Sequence, residues 1–315
     1  MKLAVVLAAG RGTRLRPLTL QRSKAMQPVL GRPMVERVLE VLAAGGIERF
    51  IIVRAPSDEA LARHFREHPR YRERVELVIQ PEPGGSAQAL ACAAPWLEAD
   101  FLLSACDNLV EAADVRRLLR GWEAGGQEAL LSTLPVTPEA AGSTAIVALE
   151  AGRVVRIVEK PGPGEVFSDL ASLPLYALSP RILDLLELTP LSARGERELS
   201  TTLQLLIDGG GTVRALPAAG RLTLTAPGDL LAINRAYLRR GVEASPAPPP
   251  GAEMLPPCCI EAGAQVERGA VIGPEVYLEA GSRVGAGARV RRSLVLRGGV
   301  VPPGARVEGA VVTDT

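Results

Sequence analysis

Ile260, Val266, Ile272, Leu278, Val284 and Val290 recur every six residues, with Gly or Ala two or three places after many of them. A fixed short period of this kind marks a stacked repeat, in which each unit buries its apolar face against the next. Three hexapeptides make one triangular turn of a parallel β-helix with each aliphatic side chain pointing inward. The stretch is long enough for roughly three turns. The register slips near Leu296 and resumes at Val301 and Val307. Residues 258–315 are therefore expected to form a left-handed parallel β-helix. Before them, SPAPPPGAEMLPP (Ser245 to Pro257) favours extended backbone and cannot continue a helix, so residues 245–257 read as a linker.

From the start to about Arg240, short apolar runs alternate with helical patterns, the signature of βαβ units and a mostly parallel sheet. Residues 1–244 are expected to form a layered, Rossmann-like α/β domain. Strands are placed at Leu3 to Ala9, Phe50 to Val53, Val75 to Ile79 and Phe101 to Ser104. A helix begins near Pro33, buries Met34, Val35, Val38, Leu39 and Leu42 and stops at Gly45-Gly46. Others cover Ala87 to Ala94 and Val115 to Glu123, the latter capped by Asp114.

A chain of 315 residues with 47% apolar content can bury a sizeable core. Its net charge of +1 leaves no electrostatic footprint for nucleic acid or an anionic membrane. The four cysteines, Cys92, Cys106, Cys258 and Cys259, lack CxxC spacing and a histidine cluster, which argues against a zinc site or disulfide framework and fits a reducing cytoplasm. The apolar opening is too short for an export signal, and no run is long enough to span a membrane. Lysine occurs only at positions 2, 24 and 160 among 36 basic residues, which directs attention to what those ammonium groups do.

The densest motif is LAAGRGTRLRPLT, Leu7 to Thr19, continued by Lys24. A strand that ends in a loop with Gly10 and Gly12 lets backbone N–H groups approach a phosphate, and Arg14 adds a fork that grips two phosphate oxygens. The string is neither a Walker loop nor a Rossmann GxGxxG. It resembles the signature of the nucleoside-diphosphate-sugar pyrophosphorylases, in look closest to glucose-1-phosphate thymidylyl- and uridylyltransferases that carry a C-terminal hexapeptide-repeat domain. The resemblance extends over about the first 240 residues. It implies a nucleotide site at Leu7, Ala8, Ala9, Gly10, Gly12 and Thr13, with Gln80 reading a uracil or thymine edge and Gly85 admitting the base. Asp107 in LLSACDNLV matches the aspartate that holds Mg²⁺, with Cys106 where glycine is usual. In RVVRIVEKPG, Glu159 would bond sugar hydroxyls and Lys160 would hold the sugar phosphate, with Gly142 beside the sugar.

The implied reaction joins a sugar 1-phosphate to a nucleoside triphosphate, UTP or dTTP, with release of pyrophosphate. Arg14, Lys24, Asp107 and Lys160 would act as its catalytic set, aligning two anions and neutralising their charge. Three departures fall on the sugar and metal side. Thr223 in GRLTLTAPGDL stands where the family has a second metal aspartate, Thr202 is assigned to the aspartate of RGEYEITD, and Pro174 replaces a glycine in SLPLY. Two readings follow: an active transferase with altered metal geometry, or a weak or inactive homologue that binds nucleotide and regulates. Asp229, six residues past Thr223, reads as the start of a helix and not as a substitute ligand. An acyltransferase role for the repeat domain lacks its histidine, since His64 and His68 lie far upstream on what reads as a polar surface helix. The repeat domain is expected to be a structural extension that supports a homo-oligomer.

Overall fold

The computed structural model describes residues 1–162, 164–241 and 249–314. The chain divides into two compact units, one of Met1–Arg11 with Val38–Arg221, the other of Gly12–Arg37 with Leu222–Thr315.

The first unit is built on a nine-stranded sheet. Its strands are β1 (Leu3–Leu7), β2 (Arg49–Arg54), β3 (Val75–Ile79), β4 (Phe101–Ala105), β5 (Ala129–Pro135), β6 (Ala145–Glu150), β7 (Arg153–Glu159), β8 (Leu170–Leu178) and β9 (Val213–Pro217). The order is β3-β2-β1-β4-β8-β5-β9-β7-β6. β3, β2, β1 and β4 run parallel, as the alternation of strands and helices predicts. Beyond β4 the expected mostly parallel sheet gives way to a mixed one: β8 is antiparallel to β4 and β5, and β7 to β9 and β6. The physical reason is local for one pair. β6 and β7 are joined at Ala151-Gly152, where φ is +48° and +78°, the doubly left-handed turn that closes an antiparallel hairpin.

Besides a single turn at Pro138–Ala141, the helices of this unit are α1 (Met34–Gly45, from Val38 onward), α2 (Glu59–Glu67), α3 (Ser86–Ala93), α4 (Ala112–Glu123) and α5 (Leu199–Asp208). Asp58 caps α2 by accepting the Leu61 N–H at 3.2 Å. Asp114 is not the cap of α4, which starts two residues earlier with Glu111 at the cap position. Asp114 is buried and accepts the Ala219 N–H at 3.0 Å together with Arg117. The α2 histidines are not on a polar surface: His64 and His68 are half-buried, and their rings lie 5.0 Å from Phe65 and 4.9 Å from Tyr71 respectively. The core unites Val5, Ile51, Leu90, Phe101, Leu103, Leu131, Tyr176 and Leu203. Each fully buried Leu or Phe of this kind contributes about 1.5–3 kcal/mol.

In the second unit, α6 (Pro227–Arg239) is capped by Asp229, whose Oδ2 accepts the N–H groups of Thr225 and Ala226 at 2.7 Å each. Beyond it, short parallel strands form three sheets visited in turn. Pairing begins at Glu253–Met254, inside the stretch read as linker; residues 245–248 of that stretch lie outside the described residues. Ile272, Leu278, Val284 and Val290 are fully buried in one apolar core, as the six-residue period requires. The slip near Leu296 has a geometric origin. Ile260, Val266 and Ile272 pair with residues 18 positions on, whereas Leu278, Val284 and Val290 pair with residues 17 positions on. One residue is missing from a single coil, so Val295 takes the inward place.

Candidate nucleotide and sugar-phosphate site

β1 ends at Leu7, and the chain then turns out of the sheet: the Ala8 N–H donates to Val53 O at 2.7 Å and the Cys106 N–H to Leu7 O at 3.0 Å. Ala8 and Ala9 are buried and Gly10 is exposed. A Cβ at Gly10 would meet nothing within 4 Å, so packing gives no reason for glycine there. Gly85 is the opposite case. Its φ is +96°, and a Cβ would lie 2.3 Å from Arg197 O, so the fold itself demands glycine at the start of α3. Gln80, at the end of β3, is 5% exposed. Its Nε2 donates to Gln88 Oε1 at 2.5 Å and to Gly85 O at 3.3 Å, which fixes the side chain.

Asp107 follows β4 and is half-buried, next in the chain to the buried Cys106. Open α/β sheets gather their ligands at such carboxyl ends of strands. The Arg221 guanidinium lies in the field of Asp107 and Tyr176. Its own burial lowers the Arg221 pKa, against the pull of the Asp107 carboxylate. Tyr176 is buried, with Oη 2.8 Å from Ser172 Oγ. Burial pushes its pKa far up, helped by the negative charge of Glu159, so the phenol stays protonated.

Glu159 closes β7, accepts the Ser200 hydroxyl at 3.0 Å and pairs with Lys160 Nζ at 3.3 Å. Adjacent residues of an extended strand point to opposite faces. Lys160 avoids that by adopting φ +45°, a conformation uncommon outside glycine, with its N–H donated to Thr144 O at 3.0 Å. Gly142 is exposed nearby, where a Cβ would make only ordinary contact with Pro161 O at 3.5 Å. Arg194 pairs with Glu198 at 2.6 Å. The Glu196 pKa is raised by burial first and then by Glu198, against the pull of Lys160 and Arg194. The fold thus brings Asp107, Glu159 and Lys160 into one charged neighbourhood with Tyr176, Arg194, Glu198, Ser200 and Arg221. No motif in the sequence marks these last five as site residues. The nearest signals were the RGEREL string and an arginine two places before Thr223.

Thr202 is not in that neighbourhood's solvent-facing part. It is fully buried in α5, with Oγ1 2.7 Å from Thr189 Oγ1. Counted from Arg194, RGERELST ends at Thr201, so Thr201 and not Thr202 occupies the aspartate position of the motif. Pro174 falls where the β8–β5 register shifts between Leu173 and Tyr176, and a residue without an N–H is tolerated at such an irregularity.

In the second unit, Gly12 has φ +59°, and a Cβ there would approach Thr19 Cγ2 to 3.1 Å and Lys24 Cβ to 3.3 Å. Thr19 Oγ1 donates to Gly12 O at 2.9 Å. The turn Thr13–Leu15 follows, with Thr13 and Arg14 exposed, and half-buried Lys24 opens the turn Lys24–Met26. Thr223 is half-buried. Asp229 is engaged at the cap of α6, the helix start expected there.

The chain belongs to the nucleotidyl transferase family: residues 3–221 match the family model "Nucleotidyl transferase", and residues 254–315 match "GMPPB C-terminal domain". It is 33% identical over 227 residues to UTP--glucose-1-phosphate uridylyltransferase AglF of Haloferax volcanii, covering 72% of this chain and 92% of that protein. It is 34% identical over 238 residues to glucose-1-phosphate thymidylyltransferase of Streptomyces griseus, covering 75% and 66%. The bifunctional protein GlmU of Methanococcus maripaludis is 28% identical over 241 residues, and the match spans only 54% of its length. Among solved structures, UTP-bound UGPase from Acinetobacter baumannii superposes with a TM-score of 0.67 at 25% identity, over 76% of this chain and 94% of that one. A UDP-glucose pyrophosphorylase complexed with UDP-glucose shares the fold at a TM-score of 0.68 and 20% identity, over 76% and 99%. Relatives of the chain are thus sugar-phosphate nucleotidyltransferases. Among the described residues no helix is long and apolar enough to cross a membrane.

Proposed function

We propose that this chain transfers a nucleotidyl group from UTP or dTTP to a sugar 1-phosphate, forming a nucleoside-diphosphate sugar and pyrophosphate. The observation that carries the reading is the Glu159–Lys160 pair. A left-handed lysine is a local cost, and an ion pair still reached by water repays little of it. Binding of a sugar phosphate gives that conformation a purpose.

In this reaction a phosphate oxygen of the sugar 1-phosphate forms a bond to the α-phosphorus of the triphosphate while the bond to the β-phosphate oxygen breaks, and pyrophosphate leaves with that electron pair. No protein nucleophile is needed. Lys160 holds the attacking phosphate and Glu159 accepts hydrogen bonds from sugar hydroxyls, with Gly142 beside the ring. Gln80, its amide nitrogen engaged within the fold, uses its carbonyl oxygen to accept from the pyrimidine edge. Gly10, free of packing demands, lets the backbone approach the nucleotide. Arg14 grips the leaving phosphates and Lys24 neutralises the α-phosphate. Tyr176 and Arg221 keep Asp107 in a polar, partly desolvated setting.

One half-buried carboxylate suits a Mg²⁺ whose remaining ligands are substrate phosphates and water, so Asp107 would hold it. When bound, the ion neutralises phosphate charge. The C-terminal coil is read as a left-handed β-helix of hexapeptide repeats, and the protein as a cytoplasmic homo-oligomer. The test is product analysis by mass spectrometry after incubation with Mg²⁺, UTP or dTTP and a panel of sugar 1-phosphates. A nucleoside-diphosphate sugar formed by the wild type and absent with Lys160→Met supports the reading. Nucleotide binding without product would favour the regulatory alternative that Thr223 suggests.

A further inference from the structure

The segment that carries Arg14 and Lys24 belongs to the same compact unit as the C-terminal coil. Polar contacts join the two. Glu279, at the end of the strand Val276–Leu278, has a side chain only 5% exposed. One of its oxygens receives Arg22 Nη2 at 2.7 Å, and the other receives the Arg297 N–H at 2.9 Å. A carboxylate so removed from water must be paired, and an arginine that satisfies it is held in turn. The fully buried Tyr277 donates its hydroxyl to Glu261 and accepts the Gly31 N–H at 3.2 Å. Glu261 is itself fixed by the Ala280 N–H at 3.0 Å. Gly31 has φ +79°, and a Cβ there would come within 3.1 Å of Glu261 Oε1, so the backbone is seated closely on that carboxylate.

The hold reaches the phosphate-gripping residues through short links. Buried Gln27 donates from Nε2 to Leu18 O at 3.0 Å and Arg22 O at 3.1 Å, tying both sides of the turn that precedes Lys24. The Gly12 carbonyl accepts from Thr19 at 2.9 Å, and a Cβ on Gly12 would sit 3.3 Å from Lys24 Cβ. Arg22 is two residues from Lys24. Gln21 adds a second exposed contact, its Nε2 lying 2.9 Å from Asp314 Oδ2.

We infer that Glu279 and Tyr277 are positioning residues for phosphate binding: the coil holds the Gly12–Lys24 segment in the conformation that presents Arg14 and Lys24 to a nucleoside triphosphate. The inference rests on the reading of those two side chains given above. It changes the role of the coil from a passive extension to part of the binding machinery. Truncating a contact on the coil loosens a binding segment that it never touches as ligand.

The chain's three lysines make the test direct. Full-length wild type, Glu279→Gln and Tyr277→Phe are treated with an acetylating N-hydroxysuccinimide ester. Acetylation of Lys24 is followed by mass spectrometry, with Lys2 and Lys160 as internal references, and Kd for UTP and dTTP is measured in parallel. Leu278→Ala, which weakens the apolar core of the coil without touching the segment, controls for general destabilisation. Loss of a charge-assisted contact predicts that Lys24 reacts about tenfold faster and that Kd rises about tenfold in both variants, with Lys2 and Lys160 unchanged. If Glu279→Gln does not fold, Tyr277→Phe, which removes one hydroxyl, and Arg22→Gln decide. Wild-type Lys24 reactivity and wild-type Kd in folded variants overturn the inference. Faster Lys24 acetylation in a protein whose wild type binds neither nucleotide upholds the seating of the segment and overturns the assigned reaction instead.

Discussion

Gly85→Ala should destabilise the first unit by about 3–5 kcal/mol, the sum of backbone strain and two weakened hydrogen bonds. The backbone at position 85 has φ +96° and ψ 177°, a region essentially reserved for glycine, where another residue costs about 1–3 kcal/mol. The added Cβ would stand 2.3 Å from Arg197 O and 2.8 Å from Arg197 N. These are backbone atoms and cannot rotate away. Relief requires the two loops to separate, which weakens the Arg197 N–H to Gly84 O bond at 2.8 Å and the Ala87 N–H to Arg197 O bond at 2.9 Å. Each contributes about 1 kcal/mol. The same separation releases Gln80, whose Nε2 donates to Gly85 O, so nucleotide affinity falls as well. Urea unfolding followed by circular dichroism, with Gly10→Ala as the control, measures the effect. Gly10 has open space at its Cβ, so that change should move stability by no more than about 0.5 kcal/mol. A loss below about 1 kcal/mol for Gly85→Ala would refute the argument that packing, and not ligand approach alone, demands this glycine.

Leu278→Ala removes a fully buried side chain from the core of the coil and should cost about 2–5 kcal/mol in urea unfolding; a smaller loss would mean that the coil collapses around the cavity. Arg239, with Arg235, holds the Glu275 carboxyl below its ordinary value of 4.5. A depressed folded-state pKa contributes stability that is complete above the unfolded value and disappears as pH falls through the folded one. The melting temperature of Glu275→Gln should therefore lie below that of wild type near neutrality and converge with it below about pH 4.5, and parallel curves down to about pH 3 would contradict the pairing. Lys160→Met should raise the KM for sugar 1-phosphate at least about tenfold with a smaller effect on nucleotide Kd, since the lost contact is charge-assisted. An equal loss on both ligands would place Lys160 elsewhere in the reaction.

Much of the architecture is legible in the order of the residues. The six-residue spacing of Ile272, Leu278, Val284 and Val290 locates the core of the coil, and the break at Leu296 corresponds to the single missing residue that turns Val295 inward. β1, β2 and β4 are readable because buried parallel strands are nearly continuous apolar runs, and β3, at the sheet edge and only partly buried, because it is a short run rich in β-branched residues. The direction of β7 and β8 is not readable in the same way, because period-two alternation is identical in parallel and antiparallel strands. The motif residues stand where a strand ends, and a motif is a local string. The Arg194–Glu198 pair and Arg221 meet Glu159 and Asp107 only through the sheet order, which no local string contains. Asp114 misleads for a related reason. An acid near a helix start is a cap by statistics, but here its carboxylate serves the distant Ala219 N–H.

Turnover that requires both a nucleoside triphosphate and a sugar 1-phosphate is the central claim. Pyrophosphate release should be followed with Mg²⁺, UTP or dTTP, and each of a panel of sugar 1-phosphates, for wild type and Asp107→Ala. Release should need one particular sugar phosphate and fall at least about a hundredfold in the variant, the scale of losing a key electrostatic contributor. Release that is independent of any sugar phosphate, or that survives unchanged in Asp107→Ala, would contradict that claim.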